Sequence, residues 1–257
     1  MRLTKAVHRS AFLVSALSAA CFSTLSLTAS DPPAGAGREG LERLRRGNAA
    51  FIAQQFDSSR INAPRRVEVS TGQKPFAIIL SCADSRVPPE VVFTQGLGDL
   101  FVVRVAGAVM DKAVLGSVEY GAEHLHVPLI VVMGHTSCGA VRAAMDSKAP
   151  AKIEPAHANI EHILAAIRPA LPRARPGGDP WVNAVYASVE RNVGDVVRLS
   201  PVLAELGVEG KVTLVGAVYD LASGKVTFSE PASVPHVTHK ESGQGSKATA
   251  AAQKKGH

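Results

Sequence analysis

Long apolar runs, internal repeats and cysteine are all scarce in this 257-residue chain. The apolar run AFLVSALSAA (11–20) is too short for a bilayer, which needs about 20 residues, so no transmembrane helix is expected. No fixed-period repeat is visible, which sets aside solenoid architectures. Net charge is also lacking where it would matter. The whole chain is +6, but Arg2, Lys5 and Arg9 stand without an acid in residues 1–30. Beyond residue 231 four lysines face only Glu241, so residues 31–231 balance at zero. The basic excess lies at the two ends, and composition gives no support for a nucleic-acid surface.

Those ends read as separate from the folded domain. Residues 1–30 have the order of an export signal: basic residues, an apolar core, then small residues up to Ala29 and Ser30. A lipid anchor at Cys21 is the alternative, although Ser18 stands where that motif usually has leucine. Both predict a periplasmic or secreted protein. From about Ala232 the chain is rich in Ser, Gly, Lys, Ala and Gln without apolar periodicity, and is expected to be a flexible tail. His236, His239 and His257 there show no ligand spacing. The 31–231 segment suits one domain with a sizeable core.

Few cysteines make each one informative. Loss of the signal leaves Cys82 and Cys138. In an exported protein, that count by itself favours one disulfide over a metal site. The surrounding residues must decide between them.

Along the chain, GREGLERLRRGNAAFIAQQF (38–56) predicts an amphipathic helix with Leu41, Leu44, Phe51 and Phe56 on one face. Gly47 weakens it, and no partner for its apolar face is obvious. PFAIILSC (75–82), LFVVRV (100–105) and PLIVVMG (128–134) are nearly continuous apolar runs, as buried parallel strands are. Residues 111–127 form a crossover helix between the last two. Asp179 and Pro180 open a helix to residue 199, with Val182, Val185, Val189, Val193 and Val196 on one stripe. Ser200 and Pro201 open another, closed by Gly207. KVTLVGAVYDL and KVTFSE supply two last strands. This order predicts an α/β fold: a central, mainly parallel sheet flanked by helices, with an N-terminal helical arm.

Cys82 ends the first strand and His135 the third, the strand ends where open α/β sheets bind ligands. Cys138 follows in GHTSCGAV, where Gly134 and Gly139 permit a tight turn. Cys138 then opens the next helix, a position that favours thiolate. Two thiolates and one imidazole suit Zn²⁺ and leave a fourth position free. Around Cys82 runs SCADSRVPPE, in which Asp84 is close enough to bind the metal or to accept a hydrogen bond from its water, and Arg86 is placed to pair with it bidentately. These neighbours outweigh the disulfide expected from the count.

CADSR (82–86) together with GHTSCG (134–139) resembles the β-class carbonic anhydrases, as do GDLFVVRVAG (98–107), SVEYGAEHLHVPLIVVMGH (117–135) and GAVYDLASGKVTF (216–228). The resemblance spans about residues 38–230. It implies reversible hydration of CO₂ to bicarbonate and a proton, with zinc on Cys82, His135 and Cys138 and an Asp84–Arg86 dyad beside it. It implies further that Gln73, Phe101, Tyr120 and Gly139 line the substrate pocket. Family members that close the site carry Trp where this chain has Ile79, so an open form is expected. Arg104 matches a family arginine and is read as an ion-pair residue. Departures are Val105 and Ala108, where the family usually has asparagine, and Ala140 in place of glycine. The resemblance also implies a homodimer or tetramer built through N-terminal helices. Rival readings are hydrolysis of carbonyl sulfide or carbon disulfide at the same site, and a non-enzymatic exported protein with a Cys82–Cys138 disulfide.

Overall fold

A computed structural model describes residues 32–150 and 154–233. The export segment, Cys21, and the histidines of the tail lie outside the described residues. The helices are α1 (Ala36–Ile52), α2 (Ala63–Glu68), α3 (Pro89–Val92), α4 (Lys112–Glu123), α5 (Gly139–Asp146), α6 (Ala158–Ile167), α7 (Pro180–Leu199) and α8 (Pro201–Val208). The strands are β1 (Ala77–Ser81), β2 (Leu100–Arg104), β3 (Leu129–His135), β4 (Thr213–Tyr219) and β5 (Val226–Phe228). They form one sheet in the order β2-β1-β3-β4-β5, with all pairings parallel except β4–β5. The expected mainly parallel α/β sheet is borne out.

Period-two alternation sorts the apolar strands between two layers. Ile79, Leu129, Val131, Met133, Val215 and Ala217 join Leu41 and Leu44 of α1 on one face. Ile78, Leu80, Ile130, Val132 and Leu214 meet Val118 of α4 and Leu203 of α8 on the other. Both faces are covered, so every residue of β1 is buried. That explains why its sequence reads as an unbroken apolar run.

Three local expectations need correction. First, α1 ends at Ile52, leaving Phe56 63% exposed, and its apolar face has a partner within the chain. Asn48, 4% exposed, donates to Val92 O (3.1 Å) and Gly224 O (2.8 Å) and accepts from Val226 N. Gly47 is no weakness there: an added Cβ would sit 1.8 Å from Phe93 O, so only glycine lets α1 come so close. Second, Gly134 belongs to β3, and the turn falls at Thr136–Ser137, with Ser137 at φ 57°. Third, Gly207 lies inside α8, whose C-terminal cap is Glu209. Asp179 and Ser200 do cap α7 and α8, accepting from Trp181 N (2.8 Å) and Leu203 N (3.2 Å).

Candidate metal centre

Strand register builds the site. Ser81 pairs with Met133, so Cys82 and His135 emerge together from the C-terminal ends of neighbouring parallel strands. Cys138 caps α5 three residues later. One ligand atom from each of the three lies within 4.8 Å of the others, and all three residues are buried. A tetrahedral zinc holds sulfur at about 2.3 Å and imidazole nitrogen at about 2.0–2.1 Å, so this cluster closes on an ion with small adjustments.

The donor chemistry fits as well. His135 Nδ1 donates to Thr136 O (2.9 Å), which places the ring proton there. Nε2 is left as a bare lone pair, fully buried and without a hydrogen-bond partner, which is the state a metal ligand needs. Both cysteines are free thiols. Their ionisations oppose each other: Cys138 is the largest influence lowering the Cys82 thiol, with burial acting the other way. The Cys138 thiol is pushed up by Cys82 and by burial, against amide contributions from Ala140 and Val141. The helix-end amides do pull the Cys138 thiol down, as expected, but Cys82 and burial outweigh them. A divalent cation removes that conflict, because it stabilises both thiolates together.

Asp84 borders the cluster, with Oδ2 3.9 Å from His135 Nε2. Arg86 grips it from the other side: Nε to Oδ1 at 2.9 Å, Nη2 to Oδ2 at 2.8 Å, and its backbone N to Oδ1 at 3.0 Å. This bidentate pair, then burial acting the other way, leaves the Asp84 carboxyl well below the usual range. Arg104 donates to the carbonyls of Cys82 (3.1 Å) and Asp84 (2.6 Å). Read from the sequence as an ion-pair residue, it holds backbone, fixing the loop that carries the dyad. Ile79 is fully buried core, with no side chain directed at the site from that position.

The family model described as carbonic anhydrase matches residues 77–226. A carbonic anhydrase of Mycolicibacterium smegmatis is 39% identical over 184 residues, spanning 71% of this chain and 88% of its own. Carbonic anhydrase 2 of Mycobacterium tuberculosis is 37% identical over 191 residues, spanning 73% and 90%. Among solved structures, a Coccomyxa β-carbonic anhydrase in complex with acetazolamide superposes with a TM-score of 0.58 at 23% identity, covering 77% of this chain and 85% of that one. This chain belongs to the β-carbonic anhydrase family.

Within one chain, the family's substrate-pocket positions are only partly assembled. Gly139 opens α5 beside Cys138. Phe101 and Tyr120 meet each other, ring centroids 6.2 Å apart, but neither lines the cavity at the ligands, and Tyr120 is 48% exposed. Gln73 lies on an exposed loop before β1. A larger cavity of about 460 Å³, between α7 and β4–β5, contains none of the ligand set. Its walls offer no comparable donor cluster, and the metal centre is the better site on chemistry.

Sequence reading missed the part played by α7. Val185, Ser188, Val189 and Asn192 wall the cavity beside Cys82 and Cys138, and Trp181 Nε1 donates to Cys138 O (3.0 Å). Ser188 and Asn192, four residues apart on a valine stripe, were the visible signal: polar side chains on a buried helical face.

Proposed function

We propose that this protein hydrates CO₂ reversibly to bicarbonate and a proton, at a zinc held by Cys82, His135 and Cys138. The observation that carries the reading is the bare, buried Nε2 of His135 facing two free thiols, beside an aspartate kept ionised. When bound, zinc supplies the Lewis acidity that acidifies water near neutral pH. The chain's residues supply the rest. Asp84 accepts a hydrogen bond from the attacking oxygen and orients its lone pair toward the carbon of CO₂. Arg86 occupies both carboxylate oxygens, so Asp84 stays ionised and is held by the guanidinium against joining the ligands, the open arrangement that Ile79 predicts.

Gln73, Phe101 and Tyr120 complete the CO₂ pocket, in this reading, from a second copy of the chain. What supports a homodimer is the set of exposed apolar side chains Phe56, Ile61, Val67, Val91 and Leu97, on α2, α3 and the loops beside them. Residues 1–30 direct export and are removed. Among the described residues no helix is long and apolar enough to cross a membrane.

The test is metal analysis joined to stopped-flow CO₂ hydration. One zinc per chain and fast hydration are expected, both lost in His135→Ala. Stoichiometric zinc without hydration, but with turnover of carbonyl sulfide or carbon disulfide, would establish the hydrolase instead. Absence of both zinc and free thiols in the denatured protein would establish the disulfide reading. The mass of the mature N-terminus in the exported fraction tests signal removal.

A further inference from the structure

The turn after β2 holds two successive residues in the left-handed region: Gly107 at φ 71° and Ala108 at φ 50°. For glycine this conformation is cheap. A side chain at 107 would also meet Ile167 Cδ1 at 2.8 Å. Ala108 has no such freedom, and a left-handed alanine costs about 1 kcal/mol. Something must hold it there. From the buried face of α7, Asn192 Nδ2 donates to Ala108 O at 2.9 Å, across 84 residues of sequence. Both residues are nearly inaccessible, Asn192 at 6% and Ala108 at 2%. A carbonyl only accepts, so the orientation of this amide is set by the contact.

The turn matters because of its neighbour. Gly107 N donates to Cys82 Sγ at 3.3 Å. A hydrogen bond of this kind stabilises negative charge on the sulfur, and partners behind the ligands tune metal affinity. Asn192 touches none of the three ligands through any hydrogen bond described, yet it walls the same cavity. We infer that Asn192 is a positioning residue of the metal centre: by clamping Ala108 O, it holds the strained 106–108 turn in the conformation that directs the Gly107 amide at the Cys82 sulfur. The clamp also accounts for how alanine is tolerated at 108, where the family usually has asparagine, a residue that adopts left-handed backbone more readily. This inference rests on the zinc reading and extends it to a residue in a distant helix.

Asn192→Leu keeps the volume and removes the donor. Two readouts are needed: zinc affinity by competition with a chromophoric chelator, and the sulfur-to-metal charge-transfer band of the cobalt(II)-substituted protein. About tenfold weaker zinc binding is expected, the lower end for loss of a partner behind a ligand, together with a shifted band as the sulfur loses its hydrogen bond. The same substitution is then made in an Ala108→Gly background, where the left-handed turn stands without help. There it should weaken zinc by no more than about twofold. Unchanged affinity and an unmoved band in Asn192→Leu overturn the inference. So does an equal loss in both backgrounds, which marks Asn192 as a general support of the fold. If Asn192→Leu fails to fold by circular dichroism, Asn192→Asp, which sets an acceptor against Ala108 O, is read in both backgrounds by the same criteria. A wild-type protein that takes up no zinc defeats the metal reading itself, and this inference with it.

Discussion

Cys82 and Cys138 were the hardest residues to interpret from composition and became the easiest once their neighbours were placed. Two thiols whose ionisations oppose each other, with an unpartnered imidazole nitrogen among them, form a site whose donors a cation would satisfy together. Asp84 is the residue on which the proposed chemistry turns. Asp84→Asn is expected to retain zinc, because Asp84 is not among the ligands, and to lower kcat/KM for CO₂ hydration by about 100-fold or more. Stopped-flow rates beside metal analysis check it; retained zinc with undiminished hydration would remove Asp84 from the mechanism. Arg86→Lys replaces a two-point grip by a single charge, and about a tenfold loss is expected in the same assay. Cys82, Asp84, Arg86, His135 and Cys138 were all legible in the sequence because each lies within a few residues of a strand end. Asn192 and Gly107 were not, since Gly107 meets Cys82 only through the pairing of β1 with β2, and Asn192 meets Ala108 only through the packing of α7.

The elements show where local pattern succeeds and where it stops. Caps at Asp179 and Ser200 were readable because their hydrogen bonds are made within three residues. Gly47 was misjudged because its reason is 46 residues away, in the carbonyl of Phe93. That contact gives a sharp prediction. Gly47→Ala should improve the intrinsic propensity of α1 by about 1 kcal/mol, yet destabilise the protein by about 2–3 kcal/mol net, because backbone must move to admit the methyl group. Urea unfolding measures the sign. A stabilised variant would mean that α1 does not lie against α3 as described. Asn48 makes the same point with hydrogen bonds: three contacts to the 92 and 224–226 segments tie α1 into the molecule, so the arm is part of the core.

At the scale of the whole molecule, Asp99 gathers the N-terminal arm onto the sheet. Its carboxylate, 4% exposed, meets Arg43 of α1 (3.1 Å), Arg60, and Arg65 of α2 (3.4 Å), and accepts from Gly96 N (2.8 Å). Burial raises its pKa, but the Arg60 hydrogen bonds, the Gly96 amide and the charge of Arg43 together outweigh that, and the net shift is downward. A lowered carboxyl pKa stabilises the fold above the unfolded value of about 3.9, and this contribution is lost as pH falls from there through the folded value. Acid unfolding of the wild type below about pH 4 should therefore be steeper than that of Asp99→Asn. The variant should also be less stable at pH 7 by about 3 kcal/mol, since three guanidinium groups lose their buried partner. For assembly, Ile61→Asp with Val67→Asp should convert the proposed dimer into a monomer by light scattering and depress hydration without releasing zinc. An unchanged mass would place the interface elsewhere.

The sequence by itself pointed to the reaction class and to the three residues proposed as ligands, because paired short motifs at strand ends carry them and parallel strands bring such ends together. It pointed to the central strands as well, since β1 and β3, buried on both faces, must be apolar throughout, whereas β2 at the sheet edge is only partly buried. Only the tertiary structure decided that His135 presents Nε2, that Arg104 holds backbone, and that α1 is anchored within its own chain. It also decided that an asparagine on α7 reaches the turn behind Cys82. Each of these depends on a contact between residues far apart in the chain, and no local period or propensity encodes where such partners meet.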